Sequence, residues 1–238
     1  MAVDVVATPN VAPPERFAYF WNQPGEWVEE PNHRRGGESG VQRVMSASGR
    51  LLYVKRQTGH TYRSWLHPFG RPTVLRERDA LESLRQLGVN VPKLVFCGAE
   101  HDAGKQWRAL LVTAALDGFD ELDNWYAAGG RERYGEALHD RVLEALAVTL
   151  SRMHLGRWQH SCLYMKHVFV RVTGEGNDAE VEIALLDLEK CRRRWTGRSA
   201  AQHDLQQLRR HSSFNDTDWL KLVYFYENAF GSAIKGLR

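Results

Sequence analysis

The segment EVEIALLDL, residues 180–188, has the pattern of a buried strand that ends in an acid. Val181, Ile183 and Leu185 alternate with other residues and predict one inward face, after which the segment becomes fully apolar. Asp187 interrupts this apolar end. Because a buried carboxylate is costly unless it is paired or binds a cation, Asp187 is a candidate functional residue.

The sequence on either side of this strand predicts a mainly helical C-terminal half. Residues 131–153 carry apolar side chains at helical spacing with charges between them. Residues 199–211 and 216–230 also have helical patterns, and we interpret the apolar stripe from Trp219 to Phe230 as core.

The N-terminal half predicts a small sheet and one helix. Residues 73–88 predict an amphipathic helix that Gly88 ends. The segments with strand patterns are residues 41–45 and 51–56, which form a hairpin around Gly49, and residues 93–97 and 108–113.

These patterns predict an α+β fold with two lobes. A small β-rich N-lobe covers residues 17–113 and a helical C-lobe covers residues 114–238. Residues 1–16 contain three prolines among small residues and are predicted to form a flexible arm.

The composition is that of a globular protein with no nucleic-acid partner. The 238 residues include 32 Lys and Arg against 29 Asp and Glu, and a net charge of +3 is too small an excess to predict nucleic-acid binding. There is no run of 18 apolar residues and no pattern of a secretory signal, so we expect a cytoplasmic location. Cys97, Cys162 and Cys191 are widely spaced and are expected to be reduced.

A glycine-rich segment precedes the predicted hairpin. Gly36, Gly37 and Gly40 would let backbone N–H groups approach a phosphate. Their spacing is not GxGxxG, and an ordinary hairpin turn remains the alternative.

Lys55 lies within a strand pattern and faces the same way as Leu51 and Tyr53. A lysine on the inward face of a sheet needs an anion, whereas an edge lysine would stay solvated. Glu77, on the next helix, is a candidate ion-pair partner, and its alternative is a plain surface glutamate.

Three histidines lie between the long helix and the strand that precedes Asp187. His154, His160 and His167 are six and seven residues apart, which fits neither a helix face nor a known zinc motif. His167 precedes an apolar segment and is either a second metal ligand beside Asp187 or a satisfied core histidine.

The ordered set of glycine segment, strand lysine, helix glutamate, histidine-centred loop and strand-end aspartate resembles the protein-kinase-like fold. The chain is similar to the bacterial lipopolysaccharide kinase family (Kdo and heptose kinases of the WaaP type), and within it to the InaA-like proteins, over about residues 30–225. The stretches that carry the resemblance are VKR at residues 54–56, ERDAL from Glu77, HSCLYMKH at residues 160–167 and LLDLEKCR from Leu185.

The resemblance implies ATP and Mg²⁺ as cofactors. Lys55 would contact the phosphates of ATP, Glu77 would orient Lys55, and the three glycines would cover the nucleotide. His167 and Asp187 would hold Mg²⁺.

The resemblance also implies that His160 and Asp204 support the catalytic loop. Asp204 would brace the loop through its backbone, and the alternatives for this residue are a helix N-cap or a surface acid.

The catalytic loop departs from the family pattern. Active members carry His-Arg-Asp, with the aspartate five residues before the metal-binding residue, whereas this chain has Ser161 and Cys162 there. Losing a general base slows a reaction by about 10²–10⁴ and leaves nucleotide binding possible. Cys162 would replace the aspartate only as a reactive thiolate, and the alternative is a small core residue.

Two further segments have open interpretations. Tyr62, Trp65 and Phe69, in the long connection between Lys55 and Glu77, either form a flap for an acceptor or pack beneath the loop. The arginine run at residues 192–194 either binds acidic acceptor groups or stays solvated.

We therefore expect ATP-dependent phosphotransfer to a sugar hydroxyl or a related small acceptor, including a glycolipid. Transient contact with the inner face of the inner membrane is expected at most, since no amphipathic anchor is evident. The alternative is a pseudokinase that acts as a nucleotide-binding or stress-response module. The oligomeric state stays open.

Overall fold

The computed structural model describes residues 13–34, 37–174 and 176–237. The chain divides into two compact units. The first contains the residues up to Leu81 together with Pro92–Ala115, and the second contains Glu82–Val91 together with the residues from Leu116 onward. The last five residues of the glutamate helix therefore belong to the C-terminal unit, which the sequence did not predict.

The first unit contains a five-stranded antiparallel sheet with strand order β1-β2-β3-β7-β6. The predicted hairpin is β2 and β3, and Gly49 turns the chain with a φ of +77°. The elements of this unit are α1 (Pro13–Asn22), β1 (Glu26–Arg34), β2 (Gly37–Met45), β3 (Leu51–Thr58), β4 (Thr61–Ser64), β5 (His67–Pro72), α2 (Thr73–Gln86, which continues into the second unit), β6 (Leu94–His101) and β7 (Trp107–Ala114).

One face of the sheet is covered by α1. Phe17 and Phe20 of this helix are buried in a cluster with Leu52 and Val54 of β3. The helix begins at Pro13, so residues 13–16 are helical and not part of a flexible arm as predicted. Proline is tolerated in the first turn because the N–H it lacks would have no partner inside the helix. The rest of the predicted arm, residues 1–12, lies outside the described residues.

The second unit is mainly helical, as predicted. Two small sheets accompany its helices, one with strand order β11-β10-β8 and one pairing β9 with β12. The elements are β8 (Asp120–Glu121), α3 (Leu122–Ala127), α4 (Gly130–Leu155), β9 (Trp158–Gln159), β10 (Val168–Thr173), β11 (Glu180–Leu185), β12 (Arg192–Arg193), α5 (Gly197–Arg210) and α6 (Asp216–Phe230), with short 3₁₀ turns at Met165–His167, Gly176–Asp178 and Leu188–Lys190.

The core of this unit lies between α4 and α6. The apolar stripes predicted on the two helices are buried, except that Phe230 is half-buried. Helix α4 is not continuous from residue 131, because Gly135 adopts φ 79° and ψ 170°. Glycine reaches this region without steric cost, and it kinks the helix there. Within the residues described, no helix has both the length and the apolar character needed to cross a bilayer.

The buried His139 of α4 makes the stability of this unit depend on pH. Burial lowers its pKa below the ordinary value of 6.5, and the nearby Arg131 acts in the same direction. Asp218, Glu136 and Asp140 oppose the shift without cancelling it. The unfolded chain therefore binds a proton at this side chain near pH 6.5, and the folded chain binds it only at lower pH.

We expect the free energy of unfolding to fall as the pH drops below 6.5, by up to about 1.4 kcal/mol per pH unit from this residue. His139→Gln should flatten the pH dependence measured by urea unfolding between pH 7 and pH 5. The same substitution at the exposed His33 of β1 should leave the wild-type slope. An unchanged slope in His139→Gln would contradict the prediction.

Candidate functional site

Lys55 and Glu77 form an ion pair within the first unit. The Nζ atom of Lys55 lies 2.8 Å from Oε2 of Glu77, and the two side chains are only 15% and 11% exposed. Lys55 is therefore not a solvated edge lysine, and Glu77 is not a plain surface glutamate. A charge pair this far from water loses solvation of both ions, so removing one partner costs several kcal/mol.

Gln57, which the sequence analysis did not identify, positions this pair. Its Oε1 atom accepts hydrogen bonds from the hydroxyl of Thr73 at 2.9 Å and from the N–H of Val74 at 3.2 Å. These bonds fix the first turn of α2 against β3, on the side of the strand that carries Lys55. Glu77 lies one turn further along the helix and so meets Lys55. The sequence contains one sign of this role, because Gln57 is two residues from Lys55 and the two side chains therefore lie on the same face of the strand.

The described part of the glycine segment lies in β2, which pairs with β1. Gly36 lies outside the described residues, and Gly37 and Gly40 are buried in β2. A Cβ atom on Gly37 would come within 2.5 Å of the backbone of Gly59, so glycine is required there by close packing. This contact explains Gly37 without a ligand, and the role of the segment in phosphate binding stays a prediction.

Asp204 holds the histidine-centred loop of the second unit through the loop backbone. Its Oδ2 atom accepts from the N–H of His160 at 2.6 Å, and its Oδ1 atom accepts from the N–H of Ser161 at 3.0 Å. Asp204 is fully buried in the middle of α5, so it is neither an N-cap nor a surface acid. Burial alone would raise the pKa of this carboxyl, but hydrogen bonds with His154 and His203 outweigh it and hold the pKa below its usual range. Asp204 is therefore ionised.

His160 joins the loop to the segment that leads to Asp187. Its Nε2 atom donates to the carbonyl of Leu186 at 2.9 Å, and its Nδ1 atom accepts from the N–H of Cys162 at 3.3 Å. Complete burial lowers the pKa of His160, and the charge of Asp204 opposes the shift without overcoming it. A neutral imidazole with its proton on Nε2 satisfies both contacts.

His167 and Asp187 lie side by side in the second unit. The Nδ1 atom of His167 donates to the carbonyl of Cys162 at 2.8 Å, so in the neutral ring the lone pair on Nε2 is free to bind a cation. That Nε2 atom lies 3.6 Å from Oδ2 of Asp187. His167 is thus more than a satisfied core histidine, because one nitrogen faces a carboxylate.

Asp187 is not the buried carboxylate that its apolar surroundings predicted. The strand β11 ends at Leu185, and the Asp187 side chain is 39% exposed. Its backbone has φ 59° and ψ 59°, a left-handed conformation that is uncommon for residues other than glycine. Strain of this kind is frequent at functional sites, and here it places the carboxylate beside His167.

The pair fits a divalent cation only as part of a larger ligand set. The lone pair on Nε2 of His167 and the carboxylate of Asp187 repel each other unless a proton or a metal ion lies between or beside them. In the described ranges, no three His, Cys, Asp or Glu side chains converge on a possible metal position. Mg²⁺ in proteins usually takes one or two carboxylates and completes its shell with water and substrate phosphates, so Asp187 is a fitting ligand, and the imidazole of His167 is a less typical one for this hard cation.

The three histidines do not form a zinc centre. The Nδ1 and Nε2 atoms of His154 lie in hydrogen bonds with Tyr226 and Asp204. Both ring nitrogens of His160 are likewise engaged in the contacts described above.

Cys162 lies at the centre of the loop and is buried, with 6% of its surface exposed. Its backbone joins both histidines, since its N–H donates to His160 and its carbonyl accepts from His167. The burial favours the interpretation of a small core residue, and the equivalence of Cys162 with the catalytic aspartate of the family stays a prediction.

A β-rich unit with a buried lysine–glutamate pair and a mainly helical unit are the parts of a protein-kinase-like fold. The chain is similar to the solved structure of WaaP in complex with acyl carrier protein, with a TM-score of 0.66 and 21% identity over 90% of this chain and 82% of that one. This likeness confirms the fold predicted from the sequence.

Residues 18–226 match the model of the lipopolysaccharide kinase (Kdo/WaaP) family. The chain is 41% identical to Protein InaA of Escherichia coli (strain K12) over 213 residues, which is 89% of this chain and 95% of InaA. The chain belongs to the lipopolysaccharide kinase family, as its motifs predicted, and membership supports a kinase-like phosphotransferase.

Proposed function

We propose that the protein binds ATP with a divalent cation and transfers phosphate to a hydroxyl group of a sugar. The observation that carries this proposal is the ion pair of Lys55 and Glu77, which holds an ammonium group in place on a sheet. Phosphoryl transfer depends mainly on positioning and on charge neutralisation, and a fixed ammonium supplies both.

Each side chain has a defined part in this proposal. Lys55 binds phosphate oxygens of ATP, and Glu77 holds the lysine at a fixed position. His167 and Asp187 would hold Mg²⁺, which neutralises charge on the phosphates when bound. Asp204 keeps the loop in the conformation that presents Cys162 and His167.

The proposed acceptor is a sugar hydroxyl, free or on a glycolipid, because the chain belongs to the lipopolysaccharide kinase family. Because ATP is available in the cytoplasm, we expect the reaction to take place there.

A second candidate function is that of a pseudokinase that binds nucleotide without efficient transfer. Cys162 favours it, because a buried thiol occupies the position of the general base. In this case the chain would act as a nucleotide-binding or stress-response module.

The nucleotide-binding part of the proposal is tested by thermal unfolding with Mg-ATP. A ligand at about 100 times its Kd stabilises a protein by about 2.7 kcal/mol, which raises the melting temperature of a chain this size by roughly 5–10 °C. We expect this rise in the wild type and no rise in Lys55→Ala, each compared with its own melting temperature without nucleotide.

Lys221 provides a matched control, because its Nζ atom forms a similar ion pair with Asp140, 2.6 Å away, in the second unit. Lys221→Ala should keep the full rise. Glu77→Gln retains the ammonium but removes its partner and should reduce the rise. Equal rises in the wild type and Lys55→Ala would refute the nucleotide role of Lys55.

A further inference from the structure

The connection between Lys55 and Glu77 forms a separate β-hairpin with an apolar tip. Strands β4 and β5 pair from Thr61 with Pro72 to Ser64 with His67. Trp65 and Leu66 occupy the turn, and Phe69 follows in β5. Trp65, Leu66 and Phe69 are almost fully exposed. The predicted alternative, in which the aromatics pack beneath the loop, is wrong for Trp65 and Phe69.

The turn sequence is unfavourable unless something outside the described structure covers it. Hairpin turns favour Gly, Asn, Asp and Ser, because these residues adopt turn conformations easily or hydrogen-bond their own backbone. Trp65 and Leu66 have neither property and bury almost none of their surface. Large exposed apolar clusters mark interaction sites, so the tip indicates a partner.

The base of the hairpin is cationic and is held by side-chain contacts. No Asp or Glu occurs between Ser39 and Arg76. Arg71 donates to the hydroxyl of Tyr62 at 3.2 Å and pairs with Asp79 at 2.9 Å, while Arg76 lies over the Tyr62 ring at 4.5 Å. Arg63 is exposed beside the tip. The hairpin therefore presents apolar side chains next to positive charge.

We propose that the tip of this hairpin inserts into the interfacial layer of an anionic lipid bilayer, with Trp65, Leu66 and Phe69 among the headgroups and Arg63 against the lipid phosphates. Tryptophan favours the membrane interface, and basic residues beside an apolar group add attraction to anionic lipid. Peripheral proteins bind a membrane stably when an inserted apolar group and adjacent basic residues act together. This surface is independent of the proposed phosphotransfer.

The dimensions of the tip favour a bilayer over a protein partner. Three side chains offer on the order of 600 Å², since each large side chain contributes roughly 150–250 Å². A standard protein interface needs about 800 Å² from each partner. A two-residue turn that projects its side chains can enter a deformable headgroup layer without a complementary groove.

Co-sedimentation with vesicles tests the proposal. The full chain is mixed with vesicles of phosphatidylglycerol and phosphatidylcholine, or of phosphatidylcholine alone. We expect the wild type to sediment with the anionic vesicles and the triple variant Trp65→Ser, Leu66→Ser, Phe69→Ser to bind at least about tenfold more weakly. Arg63→Glu should weaken binding to anionic vesicles only. Trp195→Ser is the matched control, because Trp195 of the second unit is 95% exposed, and it should bind like the wild type.

Equal sedimentation of the wild type and the triple variant would overturn the proposal, as would failure of the wild type to bind anionic vesicles. Sedimentation velocity without lipid distinguishes a second copy of the chain as the occupant. A dimer that the triple variant abolishes would also overturn the bilayer proposal, and a monomer in both would support it. Mg-ATP stabilisation of the triple variant should match the wild type, so loss of vesicle binding is separable from loss of nucleotide binding.

Discussion

The variant Cys162→Asp is expected to transfer phosphate from ATP at least about 100-fold faster than the wild-type chain. A positioned general base contributes about 10²–10⁴ in rate, and the loop already has the arrangement that would present one. His160 and His167 both bond to the backbone of residue 162, so the substitution changes the side chain while leaving these contacts in place. Transfer of labelled phosphate from ATP, or its release to water, is the measurement.

Cys162→Asn is the matched control for Cys162→Asp, because asparagine has nearly the same shape and cannot accept a proton efficiently. It should show no gain, and Asp187→Ala should abolish any activity that the wild type has. If Cys162→Asp stays inert while Mg-ATP still stabilises it, the pseudokinase is the correct function and phosphotransfer is refuted.

Asp204→Ala is expected to lower the free energy of unfolding by about 3–5 kcal/mol. The substitution leaves the buried backbone N–H of His160 and the partly buried N–H of Ser161 without their acceptor. It also removes the partner of His154, whose Nε2 atom lies 3.2 Å from the carboxylate. Each uncompensated buried polar group costs about 1–3 kcal/mol, and breaking a buried charged network costs 3–5 kcal/mol. Urea unfolding followed by circular dichroism measures the loss.

The control for Asp204→Ala is Asp216→Ala at the start of α6. That carboxylate is 91% exposed and pairs with Arg209, so its loss should cost less than about 1 kcal/mol. Asp204→Asn keeps one oxygen acceptor, so its loss in the free energy of unfolding should lie between those of Asp204→Ala and Asp216→Ala. A cost below 1 kcal/mol for Asp204→Ala would show that the loop does not depend on this carboxylate.

Much of the fold was predictable because it depends on local periodicity. The hairpin of β2 and β3, the helices α2, α5 and α6, and the strand β11 all have the patterns that the sequence indicated. The helix α1 does not follow from the composition of its start, because Pro13 and Pro14 are typical of a break when they lie in a helix interior. Proline disrupts a helix interior but is favourable at the first position, so its effect depends on where in the helix it lies.

The candidate site was predictable in its residue types and less so in its surroundings. The sequence indicates Asp187 through a burial that the structure does not show, and the left-handed backbone of this residue has no sequence signature. The parity of Gln57 with Lys55 indicates only a shared face of the strand, and its partners on α2 are fixed by tertiary packing.

The sequence by itself determined the α+β class and the membership of the lipopolysaccharide kinase family, because both follow from the order of periodic segments and short motifs along the chain. Only the tertiary structure decided which of these residues meet. The bond from Lys55 to Glu77 spans 22 residues and that from His160 to Asp204 spans 44, and such pairs depend on how β3 packs on α2 and how the loop packs on α5. The exposed tip at Trp65 was likewise decided in three dimensions, since hydrophobicity predicts burial only where a neighbour exists to cover the side chain.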